Sequence, residues 1–232
     1  MTTPAFVHLR LHSEFSLVDS VVRIKPLMAA AAEAGMPAVA LTDQNNLFGL
    51  IRFYRAALAA GVKPIAGADL WLCEDGEPPS RLTLLCQNND GYRNLCMLVS
   101  RAFRAERYHG RPLLRRAWLE DGGAAGLLCL SGGRHGDVGR ALLAGREAEA
   151  ATALEFWCRL FPTRYYLELQ RTGREQEEGC NQATVTLAAS TGTPVVATND
   201  VRFIDRDDFG AHEARVCIHE GHTLTDPGRP RE

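Results

Sequence analysis

Phe6-Val7-His8-Leu9-Arg10-Leu11-His12-Ser13, with an acid close behind at Asp19, is the stretch on which the reading of this chain turns. Apolar and polar residues alternate through it, which predicts a short strand with His8, Arg10 and His12 on one face. Imidazole and carboxylate are common ligands of divalent ions, so a strand ending in His and Ser beside an acid reads as the corner of a metal or phosphate site. Arg10 opposes that reading, because a guanidinium is always charged and has no lone pair for a cation. The alternative is a half-buried strand whose polar side faces solvent.

Outward from this stretch the chain alternates strand with helix. Pro26 suits the first turn of a helix that lines up Leu27, Met28 and Ala31 and stops at Gly35. Ala38 to Leu41 is a short apolar strand ending in Thr42-Asp43-Gln44-Asn45-Asn46, where either Asn can cap a helix from Leu47 to Ala60. Pro64 to Leu72, carrying Gly67 and Asp69, is the third strand. A surface loop from Cys73 to Ser80 leads to the fourth, Leu82 to Cys86, and Asp90 can cap the helix through Leu95, Leu98 and Phe103. Further strands are expected at Gly126 to Ser131, Tyr165 to Gln170 and Pro194 to Thr198, with helices at 138–143, 147–160, 175–189 and 208–218. Seven strands, most of them followed by helix, predict an α/β fold with parallel pairing. In such folds polar residues gather at the C-terminal strand ends, which here supply His12, Asp43, Asp69 and Asp200. Any one of these alone reads equally as a helix cap or turn former.

The 232 residues are 46% hydrophobic and 23% charged, the composition of a globular protein, and the net charge of −2 argues against a generally basic nucleic-acid binder. Seven cysteines with no CxxC pair favour reduced thiols over a disulfide framework or zinc ribbon. No apolar run has the length of a membrane span and no signal peptide opens the chain, so a cytoplasmic location without membrane contact is expected. The arginine-rich run from Arg101 to Arg116 reads as a solvated helix end and loop, or else as a docking patch for an acidic partner or phosphate backbone. His109, His135, His212, His219 and His222 are expected on the surface or on helices without a role.

Together, His8-Leu9-Arg10-Leu11-His12-Ser13, Leu41-Thr42-Asp43-Gln44-Asn45-Asn46-Leu47, Gly67-Ala68-Asp69 and Ala197-Thr198-Asn199-Asp200-Val201-Arg202 resemble the PHP (polymerase and histidinol phosphatase) domain. Leu130-Ser131-Gly132-Gly133-Arg134, Gly136-Asp137-Val138-Gly139-Arg140 and Arg171-Thr172-Gly173-Arg174 are similar to the PHP domains of bacterial replicative DNA polymerase III alpha subunits of the proteobacterial type. The resemblance implies a distorted seven-stranded β/α barrel, with residues 1–232 as a single PHP domain. The turn-rich tail Asp226 to Glu232 reads as the end of a fragment of a longer polymerase subunit.

Active members of that family are metal-dependent phosphoesterases with His and acidic ligands, and several positions here depart from the pattern. The family's His-x-His pair is Arg10-Leu11-His12, a His after the second-strand Asp is Gln44, a Glu is Asp69, and the final Asp-x-His is Asp200-Val201-Arg202. The resemblance therefore implies a vestigial metal site of His12, Asp19, Asp43, Asp69 and Asp200, with Arg10, Gln44 and Arg202 as site-blocking or ion-pairing residues, the arginines free to pair with Asp43, Asp69 or Asp200. No catalytic residue, metal or cofactor is expected in this stretch, and the magnesium of nucleotidyl transfer would belong to polymerase sequence outside it. The function implied is a non-catalytic module of a DNA-directed DNA polymerase that supports the neighbouring polymerase domains, docks the proofreading exonuclease subunit and meets DNA through the holoenzyme. The alternative is a residual metal-dependent phosphoesterase or pyrophosphatase.

Overall fold

The computed structural model describes residues 6–73, 78–105, 108, 110–227 and 229. In chain order its elements are α1 (Ile24–Glu33), β1 (Ala38–Leu41), α2 (Leu50–Ala59), β2 (Lys63–Leu72), β3 (Ser80–Cys86), α3 (Asn89–Arg104), α4 (Arg116–Trp118), β4 (Leu127–Leu130), α5 (Asp137–Leu143), α6 (Glu147–Leu160), β5 (Tyr165–Leu169), α7 (Glu177–Thr191), β6 (Val195–Ala197) and α8 (Phe209–Glu220). Two compact units share them: Met1–Ala66 with Asp200–Glu232, and Gly67–Asn199.

In the first unit α1 turns Ile24, Leu27, Met28 and Ala31 inward, the three-and-four spacing of one helical face, and stops where Gly35 takes φ +65. Those side chains pack with Val39 and Leu41 of β1, Phe53 and Ala57 of α2, and Leu11 from the opening stretch. The first half of β2 pairs with β1 in parallel, Ala38 opposite Lys63 and Leu41 opposite Ala66. The crossover between them is α2, as a parallel pair requires. Neither Asn45 nor Asn46 caps α2. Its N-cap is Gly49, and Asn46 instead accepts the Phe48 N–H at 3.0 Å in the turn before it.

The opening stretch is not a strand with a ladder. It makes isolated parallel bridges, His8 with Val39 and Leu11 with Val201, and so changes neighbour within three residues. A side chain interrupts the ladder: Thr42 Oγ1 accepts the Leu11 N–H at 2.9 Å and donates to the Leu11 carbonyl at 3.1 Å. Arg10, Leu11, His12 and Ser13 are all buried in succession, which overturns the half-exposed alternation read from sequence.

In the second unit the rest of β2 pairs antiparallel with β3, Gly67 opposite Leu85 and Leu72 opposite Ser80, and β3 pairs antiparallel with β4. Then β4 with β5 and β5 with β6 are parallel. Six strands are present among the described residues, in hydrogen-bonded order β1 to β6, where seven in parallel were expected. The antiparallel pairs have a plain cause. The connection from Leu72 to Ser80 is too short for a crossover helix, so the chain reverses, and the connection from β3 to β4 is not one crossover helix, since after α3 Leu114 bridges Leu72 before α4 begins. Asn88, not Asp90, caps α3, accepting the Gly91 N–H at 2.9 Å. The core is anchored by Trp157 stacked on Tyr165 with centroids 6.1 Å apart, and by buried Phe161, Leu84, Leu95 and Leu119. The expected loop at 73–80 and the tail at 226–232 lie partly outside the described residues, as does His109 wholly.

Candidate functional site

At the centre of the first unit the chain brings its opening stretch beside the segment that begins this unit's second stretch at Asp200. The His12 N–H donates to the Val201 carbonyl at 3.0 Å, and the Ser20 hydroxyl lies 2.6 Å from the His12 carbonyl and 3.0 Å from that of Arg202. These contacts set Arg202 facing inward, 3% exposed. Its guanidinium donates to both oxygens of Asp200, from Nε at 3.0 Å and from Nη2 at 2.8 and 3.0 Å. Nη1 pairs with Asp19 and sits 2.7 Å from His12 Nδ1. That same imidazole nitrogen is 3.0 and 3.1 Å from the two Asp19 oxygens. One ring nitrogen either donates to Asp19 or accepts from Arg202, so its proton selects between two hydrogen bonds. Arg10, 1% exposed, places Nε 3.5 Å from Asp200.

The cluster is therefore two guanidinia, two carboxylates and one imidazole in a buried setting, with the cations matching the anions. Charge-assisted bonds of this kind let buried carboxylates persist without an ion. Among the described residues no group of three or more His, Cys, Asp or Glu is arranged to hold a metal. His8 stands at the margin: it is half-buried, meets the Phe6 ring edge-on at 5.0 Å, and burial lowers its pKa.

Asp43, expected among the partners open to the arginines, is held by neutral donors. It accepts the Ser13 N–H at 2.6 Å, the Ser13 hydroxyl at 2.9 and 3.0 Å, and the Ser16 hydroxyl at 3.0 Å. Burial still wins over these bonds and over the field of His12, so its carboxyl is raised above the usual value. The backbone N–H of Gln44 donates to Ser16 Oγ at 3.0 Å, and its half-buried side chain follows directly on Asp43.

Asp69 belongs to the second unit, and its cation is one the sequence reading did not single out. Arg81 of β3 lies 2.9 Å from it and over the Trp71 ring at 4.9 Å, while the Thr83 hydroxyl is 3.3 Å away. Also missed was Glu168, 1% exposed on β5, which accepts the Gly132 N–H at 2.5 Å and the Thr198 hydroxyl at 2.8 Å. The available signal was an acid inside the apolar run Tyr165–Leu169. His212 lies on α8 as expected, but it is 2% exposed and packs on Phe203 and Phe209, whereas His219 and His222 are exposed. In the arginine-rich run, Arg101 lies over Trp118 at 4.5 Å, Arg111 over Trp71 at 5.3 Å, and Arg116 pairs with Asp137 at 2.6 Å. All seven cysteines are free thiols.

A model of the PHP domain family matches residues 8–172. The chain belongs to the PHP domain family. The chain is 53% identical over 232 residues, 99% of its length, to DNA polymerase III subunit alpha of Pseudomonas aeruginosa. It is 51% identical over its whole length to the protein of the same name from Escherichia coli. It spans about a fifth of the length of these curated relatives. Among solved structures, a Chromobacterium violaceum amidohydrolase with bound sulfate and no metal superposes with TM-score 0.57 at 15% identity, over 91% of this chain and 97% of that chain. A Bifidobacterium adolescentis protein described as a candidate metal-dependent phosphoesterase gives TM-score 0.59 at 10% identity, over 92% and 97%. Both likenesses speak to the α/β fold alone. No helix among the described residues is long and apolar enough to cross a membrane.

Proposed function

We propose that this PHP domain is the non-catalytic module of a replicative DNA polymerase III alpha subunit, carrying a vestigial metal site closed by internal ion pairs. One observation carries the reading: the Arg202 guanidinium occupies the space among Asp19, Asp200 and His12 that an ion would need. A unit charge about 4 Å from another, at an effective dielectric near 20, costs roughly 4 kcal/mol when the signs match, and a divalent ion beside Arg202 and Arg10 would meet that repulsion more than once. The donor set, with two guanidinia among its carboxylates, does not fit a divalent ion. Asp43 and Asp69 also have their own partners, in Ser13 with Ser16 and in Arg81.

In this reading the module works in the cytoplasm, supports the polymerase domains of the same polypeptide and docks a proofreading exonuclease subunit. The identity to the alpha subunits supports it, and DNA is met only through the assembled polymerase. Elemental analysis of the purified protein is expected to give far less than one equivalent of zinc or manganese, and added manganese is expected to produce no phosphodiester or pyrophosphate hydrolysis. Tightly bound stoichiometric metal would overturn the vestigial site, and hydrolysis that disappears in Asp43→Ala would establish a residual phosphoesterase instead. A purified exonuclease subunit is expected to co-elute with the protein, and failure to do so would remove the docking role.

A further inference from the structure

Helix α2 is apolar on two faces. Leu50, Phe53 and Ala57 point into the core, as an amphipathic helix requires. Ile51, Tyr54 and Leu58 repeat the same three-and-four spacing on the outer face, 60%, 52% and 57% exposed, and Phe48 just before the helix is 63% exposed. Four large apolar side chains in one stripe exceed the scattered exposure normal for a protein surface.

Beside the stripe lies a cleft of about 850 Å³ whose lining includes Phe15, Arg23, Lys25, Arg52 and Arg55, with Glu14 as its acid. Several exposed arginines elsewhere are answered by carboxylates, as in Arg93 with Asp90, Arg146 with Glu149 and Arg171 with Glu178. Among the described residues none of Arg23, Lys25, Arg52 and Arg55 is in an ion pair; Arg52 instead lies over the Phe15 ring at 5.5 Å. The surface thus combines aromatic and aliphatic anchors with unanswered positive charge.

We propose that the outer face of α2 and its basic cleft dock an acidic polypeptide segment whose apolar side chains recur at helical spacing. Such a segment would lay its anchors against Phe48, Ile51, Tyr54 and Leu58 and its carboxylates against the four cations, the helix-in-groove mode of recognition with complementary charge at the rim. A second copy of the chain pairing through this face would set like charges together. A phosphate backbone would use the cations and its bases could stack on Phe48 and Tyr54, but Ile51 and Leu58 would be left unserved, since single-stranded nucleic acid is bound through aromatic stacking. The inference does not rest on the reading of the Arg202 cluster.

The test uses the full-length chain that carries this domain and fluorescent peptides of about 18 residues, five helical turns. One has Leu and Phe anchors with a Glu rim, one the same anchors with a Lys rim, and one a Glu rim with Ser at the anchors; a single-stranded oligonucleotide is the fourth probe. Only the first is expected to bind, with a Kd that rises with salt and rises at least tenfold in Tyr54→Ser/Leu58→Ser and in Arg52→Glu/Arg55→Glu. Because all four side chains are exposed, thermal melts of both variants should match the parent, which separates lost docking from lost folding. The proposal is overturned if the Glu-rim peptide fails to bind, if the Lys-rim peptide binds equally, or if either double variant leaves affinity unchanged. It is overturned in favour of nucleic acid if the oligonucleotide alone responds to the variants, and in favour of a second copy if Tyr54→Ser/Leu58→Ser converts a dimer to monomer in sedimentation.

Discussion

Arg202→Ala probes the buried cluster directly. The substitution removes three hydrogen bonds to Asp200, the pairing with Asp19 and the contact with His12, leaving two carboxylates whose side chains are only 11% and 4% exposed. Breaking a buried pair by deleting one partner costs about 3–5 kcal/mol. The lower end applies here, because Asp200 keeps Arg10 at 3.5 Å and Asp19 keeps His12 at 3.0 Å. A loss of about 3 kcal/mol corresponds to a drop in Tm of about 6–12 °C for a chain of this size. The pH dependence follows from the sign of the perturbation. A carboxylate stranded in a dry site favours its neutral form, so its folded pKa lies above its unfolded one, and stability relative to wild type is lost as pH rises through the folded value. Urea unfolding at several pH values is therefore expected to show a small deficit near pH 4, the ordinary carboxylate range, that opens toward pH 7. Adding Asp200→Asn to Arg202→Ala should cost less than the sum of the two single changes by more than about 1 kcal/mol. A deficit under about 1 kcal/mol at pH 7, a deficit that ignores pH, or additive losses would refute the reasoning.

Asp43 titrates above its ordinary 3.8 because burial outweighs its serine bonds, so a carboxyl-carbon NMR titration of the folded chain should place its midpoint above that value. Its linkage contribution is full below 3.8 and lost as pH rises through the folded value, so Asp43→Asn should gain on wild type across that window. Arg202→His exchanges the guanidinium for an imidazole beside His12, Asp19 and Asp200, and calorimetric titration with manganese should then give saturable heat that wild type lacks. A Cβ at Gly136 would overlap the Ser131 carbonyl, whereas one at Gly179 within α7 meets nothing within 4 Å. Denaturant melts should therefore show Gly136→Ala destabilised by about 1–3 kcal/mol and Gly179→Ala stabilised by about 0.5–1 kcal/mol.

Much of the fold was legible because its causes are local. The stripe Leu27, Met28, Ala31 with Gly35 beyond it located α1, and the apolar run at Ala38–Leu41 located β1. Caps were less legible, since Asn45, Asn46, Asn88 and Asp90 are chemically equivalent candidates and the backbone turn alone selects among them. Strand direction was misread where connections are not single helices, at β2 to β3 and β3 to β4. At the site, sequence identified Arg10 and Arg202 as cations set among expected ligands. It did not identify Arg81, which opens an ordinary apolar strand, nor Glu168, a lone acid within one.

The sequence by itself determined the PHP resemblance and most of the element order after the opening stretch, because periodicity and motif spacing act over a few residues. Only the tertiary structure decided the partners. Arg202 and His12 lie 190 positions apart in the chain, yet 2.7 Å apart in space. A guanidinium that could answer Asp43, Asp69 or Asp200 equally well in sequence answers Asp19 and Asp200, because Coulomb attraction and hydrogen-bond geometry operate at a few ångströms and long-range backbone pairing fixes which groups come that close.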